Sequence, residues 1–137
     1  MLLGRTRVRP FLICGESVAM KREFGQAGEA LAVEFLKSKG YAILDMNWRC
    51  SLGELDIVAL DGSTVVIVEV RTRHSTTAST ALETIGTRKQ QTLAKLAHLY
   101  LSKRGLNNAD WRIDAVGIAI PRSGTPIIEH VENALDW

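Results

Sequence analysis

The chain has 137 residues, 46% hydrophobic and 23% charged. That suits one soluble domain and excludes disorder, collagen or coiled coil as its main description. The net charge of +2 conceals an uneven spread: Arg5, Arg7 and Arg9 face Glu16 near the start, residues 71–104 hold seven Lys or Arg against one acid, and the flanking segments are acidic.

Residues 1–19 differ in character from the rest and read as a disordered basic N-terminal extension, leaving residues 20–137 as a single domain. The spacing of Phe24, Ala27, Leu31, Phe35 and Leu36 predicts a helix over 23–39, closed by Gly40. Tyr41 to Leu44 predicts a short strand. Residues 54–60 and 64–72 predict two strands joined around Asp61-Gly62, a strong hairpin signal. A polar loop from Arg73 to Thr80 follows. Residues 87–103 predict a second helix whose buried stripe is Leu93, Leu96, Ala97, Tyr100 and Leu101, ended by Gly105. Residues 111–120 form a further strand, Pro121 to Pro126 turn the chain, and Ile127 to Val131 return as an edge strand. The order α-β-β-β-α-β-β describes an α/β fold, a small mixed β-sheet flanked by helices.

The longest apolar runs, such as Val65-Val66-Ile67-Val68, fall far short of the ~20 residues of a membrane span, so no membrane partner is expected. Cys14 and Cys50 form neither a disulfide framework nor a zinc spacing, and the three histidines share no ligand spacing. A reducing cytoplasm is the simplest compartment.

The informative residues lie in the hairpin. Side chains alternate along a strand, so Glu54, Asp56, Val58 and Leu60 should share one face, as should Val65, Ile67, Glu69 and Arg71. A two-residue loop of Asp61-Gly62 sets Asp56 opposite Ile67 and diagonal to Glu69; a four-residue loop sets Asp56 directly opposite Glu69. Both registers bring Asp56, Glu69 and Arg71 onto one face, whereas a three- or five-residue loop without a bulge would scatter them. Two carboxylates placed this way among apolar residues repel. Three compensations are open: Arg71 as a counter-ion, a raised pKa on one acid, or a divalent cation.

Further motifs surround this pair in order: Gly28-Glu29-Ala30, Asn47-Trp48-Arg49-Cys50, Gly53-Glu54-Leu55-Asp56-Ile57-Val58-Ala59, Val68-Glu69-Val70-Arg71-Thr72-Arg73, Arg88-Lys89, Arg112-Ile113-Asp114 and Glu132-Asn133-Ala134. The ordered set, over about residues 23–135, resembles the YraN-like family of predicted bacterial endonucleases. That is a PD-(D/E)XK group similar to archaeal Holliday junction resolvases. The resemblance implies a restriction-endonuclease-like core and metal-dependent cleavage of DNA, in branched or structured form, with Mg²⁺ or Mn²⁺ as cofactor. It implies Asp56 and Glu69 as metal ligands, the Val70 carbonyl as a third, and Glu29 as an acid reaching the metal from the first helix. By analogy it implies a homodimer. One position departs: the signature Glu-x-Lys reads Glu69-Val70-Arg71, and arginine cannot surrender a proton at useful pH.

Around the site, Glu54 supports the metal or pairs with Arg71, or else is a solvated strand-end acid. Arg73 suits a phosphate contact. Arg88 and Lys89 open a helix, where backbone N–H groups favour anions, and Arg49 beside Trp48 suits a base or backbone contact. Arg112 and Asp114 read as structural, Tyr100 as core and His74 as a surface histidine. Two functions follow: a metal-dependent endonuclease, or a non-catalytic nucleic-acid-binding protein whose site has degenerated at Arg71.

Overall fold

A computed structural model describes residues 18–75 and 85–134 of the chain. The elements run α1 (Val18–Ser38), β1 (Ala42–Cys50), β2 (Gly53–Asp61), β3 (Thr64–Arg73), α2 (Thr87–Lys103), β4 (Trp111–Ala119) and β5 (Ile127–Val131). This is the expected α/β order. The five strands form one mixed sheet in the order β1-β2-β3-β4-β5. Neighbours are antiparallel except β3 and β4, which run parallel and are linked through α2. Residues 1–17 of the expected extension lie outside the described residues, while Val18 and Ala19 already belong to α1. Among the described residues no helix is long and apolar enough to cross a membrane.

The two helices cover opposite faces. Leu93, Leu96, Ala97, Tyr100 and Leu101 of α2 pack on Leu55, Val58, Val65, Ile67 and Ile113; this is the stripe the spacing predicts. Ala32, Val33 and Leu36 of α1 pack on Ile57, Ala59, Val66, Val68, Val116 and Ile118. Here the buried face is turned from the predicted one. Ala27 is exposed, Leu31 and Phe35 are half-buried, and Gly28, Ala32 and Leu36 lie against the sheet. Small residues let a helix approach closely, and a count of large apolar residues overlooks them.

Gly28 marks the tightest approach. A Cβ built there would stand 2.0 Å from Thr72 Oγ1 and 3.0 Å from Thr72 Cβ, which no rotation of the threonine relieves. Helix propensity alone favours alanine over glycine by about 1 kcal/mol, but overpacking of this kind typically opposes with about 1–3 kcal/mol. Gly28→Ala should therefore lower the melting temperature. A rise would show that α1 can stand off the sheet without loss.

The hairpin turn is Gly62-Ser63, flanked by the pair Asp61 and Thr64, rather than Asp61-Gly62. Gly62 has φ +64, at the first central position, where a type II′ turn requires glycine. Leu60 pairs with Val65 and Ile57 with Val68, the second of the two registers considered above. β1 extends six residues past the predicted strand, to Cys50. An irregularity between Ile43 and Asp45 and a left-handed Asn47 (φ +52) break its period of two, so the pattern is invisible to alternation.

Candidate active site

The acids gather where β2 and β3 part. Their ladder runs from Asp61–Thr64 to Ile57–Val68; one residue further would set Asp56 level with Glu69. There strict alternation fails. Leu55 packs in the α2 layer and Ile57 in the α1 layer, although they are two residues apart. The slip occurs at Asp56, beside the left-handed Asn47 of β1, whose neighbours Met46 and Trp48 pair with Ile57 and Leu55. The expectation that Glu54, Asp56 and Val58 share one face is corrected accordingly. Asp56 sits at the crossing of the two layers, and its Oδ2 accepts the Val70 N–H at 2.9 Å. The carboxylate takes the place of a ladder carbonyl.

Two groupings meet at Asp56. Glu29 of α1, Glu54 and Asp56 each bring one carboxylate oxygen, all within 4.8 Å of one another. Asn47 ties two of them, donating from Nδ2 to Glu29 Oε1 at 2.9 Å and to Glu54 Oε2 at 3.1 Å. On the other side stands Glu69, 5% exposed. Its Oε2 is held by Arg71 Nε at 3.4 Å and Lys89 Nζ at 3.5 Å, while its Oε1 is buried with no hydrogen-bond donor.

The electrostatics follow from this crowding. Burial, and then the nearby Asp56 charge, push Glu69 up to about 7, although Lys89 and Arg71 pull the other way. Burial also raises Asp56, against the Val70 N–H bond and Lys89. Burial raises Glu29, with the Asn47 bond opposing and the Asp56 and Glu54 charges adding to it. Two of the three compensations foreseen for the acidic pair are therefore present at once: Arg71 as counter-ion and an acid of raised pKa.

A pH dependence results. Glu69 takes up a proton more readily folded than unfolded, so its contribution is fully present below its ordinary value of 4.5 and is lost as pH rises through about 7. With chelator present, the melting temperature should fall between pH 5 and pH 8, and Glu69→Gln should flatten that fall. A wild-type melting temperature that rises over this range would contradict the buried, crowded setting of Glu69.

The donor set also fits the third compensation. An acceptor oxygen without a donor, beside other carboxylates, is what a hard divalent ion such as Mg²⁺ or Mn²⁺ satisfies. The resemblance implies Asp56, Glu69, the Val70 carbonyl and Glu29 for it; the carboxylates whose oxygens converge are Glu29, Glu54 and Asp56, with Glu69 on the far side of Asp56.

The remaining expected residues divide. Arg71 and Arg73 line an open cleft of about 430 Å³ between α1 and the end of β3, together with Phe24, Gly25, Glu29 and His74. Arg88 is exposed on the first turn of α2. Arg49, its side chain 74% exposed, pairs with Glu54 at 3.4 Å, and Trp48 packs on Tyr100 in the α2 core. Two contributions were not foreseen. Asn47 appears in the sequence only as part of a motif without a role. Lys89, which the sequence suggests as a phosphate contact, also reaches Glu69 Oε2 at 3.5 Å. Its position at the start of a helix, opposing the helix dipole, was the available signal.

A profile for the family described as "Uncharacterised protein family UPF0102" matches residues 28–118. The chain is 38% identical over 122 residues to a UPF0102 protein of Geotalea daltonii, covering 89% of this chain and 96% of the relative. It is 46% identical over 102 residues to one of Moorella thermoacetica, covering 74% and 85%. It is 40% identical over 117 residues to one of Alkaliphilus oremlandii, covering 84% and 99%.

Proposed function

The chain belongs to the uncharacterised protein family UPF0102, and from the resemblance to PD-(D/E)XK nucleases together with the acidic site we propose that it is a metal-dependent endonuclease hydrolysing phosphodiester bonds in branched or otherwise structured DNA. The observation that carries this reading is the buried Glu69 Oε1, left without a donor next to Asp56, which itself converges with the carboxylates of Glu29 and Glu54. A Mg²⁺ or Mn²⁺ ion held there would supply positive charge to the phosphodiester and acidify water. Asp56, Glu69 and the Val70 carbonyl are the proposed ligands, and Glu29 reaches the same place from α1.

The cations do the rest. Lys89 Nζ, 3.5 Å from Glu69 Oε2, stands where an ammonium can orient the attacking water and donate a proton. That is the task arginine at position 71 performs poorly. Arg71 offsets the Glu69 charge at 3.4 Å and steadies the negative charge that develops on the phosphate. Arg73 and Arg88 lie exposed on either side for the flanking phosphates.

The test is cleavage of junction, flap, single-stranded and duplex DNA with Mg²⁺ or Mn²⁺, alongside Mn²⁺ calorimetry. Lys89→Ala should lower the rate at least ~10²-fold, the usual scale for a positioned acid–base group, while Arg71→Lys leaves it unchanged or raises it. Salt-sensitive DNA binding with no Mn²⁺ heat and no turnover would instead establish the non-catalytic binder with a degenerate site.

A further inference from the structure

The cleft beside the acidic group holds an aromatic pair that hydrolysis itself does not need. The rings of Phe24 and His74 stack at 4.1 Å between centroids with 27° between their planes. His74 is exposed and Phe24 half-buried, so the phenyl ring backs an imidazole that faces the cleft. The space at Gly25 beside them is open: an added Cβ there would meet nothing within 4 Å. The same cleft of about 430 Å³ is lined by Arg71, Arg73 and Glu29, and Glu29 belongs to the carboxylate group. Phe24 precedes Glu29 by five residues on α1, about 7.5 Å along the helix axis. A single nucleotide can bridge that distance.

Ring faces, arginines and an anchored carboxylate in one open cleft are the components of a nucleotide subsite. Aromatic faces bind bases by stacking without regard to sequence. A base within a duplex has both faces covered by its neighbours, so a protein ring can stack only on one that is unpaired, terminal or turned out of the helix. We propose that the Phe24–His74 pair is a base-stacking platform, and that the strand offered to the acidic group carries an unpaired nucleobase next to the phosphate to be cut. This rests on the nuclease reading and narrows its substrate to a single-stranded segment, flap or junction arm.

The experiment measures anisotropy of a labelled single-stranded DNA oligonucleotide and of the same sequence as duplex, in chelator so that metal plays no part. His74→Ala should weaken single-strand binding about 5- to 140-fold, equivalent to about 1–3 kcal/mol per stacked base at 1.4 kcal/mol per tenfold. Duplex binding should change less than about twofold. His74→Phe should restore the affinity, because it keeps the ring; Phe24→Leu, which keeps the packing but not the ring, should lose part of it. One abasic position in the oligonucleotide should weaken wild-type binding by the same factor and leave His74→Ala unaffected, since each change removes the same contact. Equal losses on both DNA forms, no restoration by His74→Phe, or additive effects of the abasic position and His74→Ala would overturn the proposal. Mn²⁺ calorimetry and cleavage assays separate it from the reading beneath it. A base-dependent single-strand preference without Mn²⁺ heat or turnover sustains the platform and defeats the nuclease; metal-dependent cleavage without base dependence does the reverse.

Discussion

Glu69→Gln is expected to lower metal-dependent DNA cleavage by at least about 10³-fold while raising the stability of the metal-free protein above pH 7. The first effect follows from removing one of the proposed anionic ligands. A metal ion contributes several kcal/mol to charge stabilisation in the transition state, and each 1.36 kcal/mol is tenfold in rate. The second follows from the setting of Glu69. Burial and the Asp56 charge lift it to about 7, so holding it ionised at higher pH works against folding, and a neutral amide of the same shape removes that strain. Asp56→Asn should be equally inactive and should still fold, because an asparagine carbonyl can accept the Val70 N–H that Asp56 takes at 2.9 Å. Rates are measured on junction and flap DNA, and stability by thermal melting in chelator at pH 8. Cleavage that survives both substitutions would eliminate the acidic pair as the metal site.

The largest effect on stability is expected from Asp114→Ala. Asp114 is 0% exposed, and both of its oxygens accept from N–H donors. Arg112 Nε reaches Oδ1 at 2.9 Å, His130 Nε2 donates to Oδ2 at 2.8 Å, and the Asn133 N–H donates to Oδ1 at 2.9 Å. Burial acts to raise its pKa, but these bonds outweigh it and hold the carboxyl below its usual range. The network extends outward. Arg112 also bonds the Tyr41 hydroxyl at 2.8 Å and Asp61 at 3.2 Å, and His130 Nδ1 accepts from Lys39 Nζ at 2.7 Å. Removing the carboxylate leaves Arg112 partly buried without its main partner, a change worth about 3–5 kcal/mol. For a domain of this size that is a fall of roughly 10–20 °C in melting temperature. The sign with pH is opposite to that of Glu69: the stabilisation by Asp114 is present above its unfolded value of 3.8 and lost as pH falls through its lower folded value. A variant that melts within a few degrees of wild type would mean that the network is ornamental. Since Asp114 lies apart from the cleft, a soluble Asp114 variant at low temperature should retain Mn²⁺ binding.

Much of this arrangement can be read from residue order alone. The stripe of α2 is legible because Leu93, Leu96, Ala97, Tyr100 and Leu101 are large or strictly spaced, and all five are buried. The β2–β3 hairpin is legible because Asp-Gly interrupts two β-branched runs, and an even loop keeps the acids level. The face of α1 is misread because Gly28 and Ala32 carry the contact, and small residues contribute little to an apolar pattern. β1 is cut short because one irregularity and one left-handed asparagine shift its side chains out of alternation.

Local pattern thus determined the element order, the closeness of Asp56 to Glu69 and the departure at Arg71, since each depends on residues a few positions apart on strands joined by one short turn. What the chain order left open is what arrives from a distance. Asn47 comes from β1 and Lys89 from α2, and they join Asp56, Glu69 and Glu29, the acid that only the resemblance implied, because two helices cover opposite faces of a sheet whose central strands separate at that level. Periodicity states which side of an element is apolar, but not which polar residue at its end will face another; packing of the layers decides that.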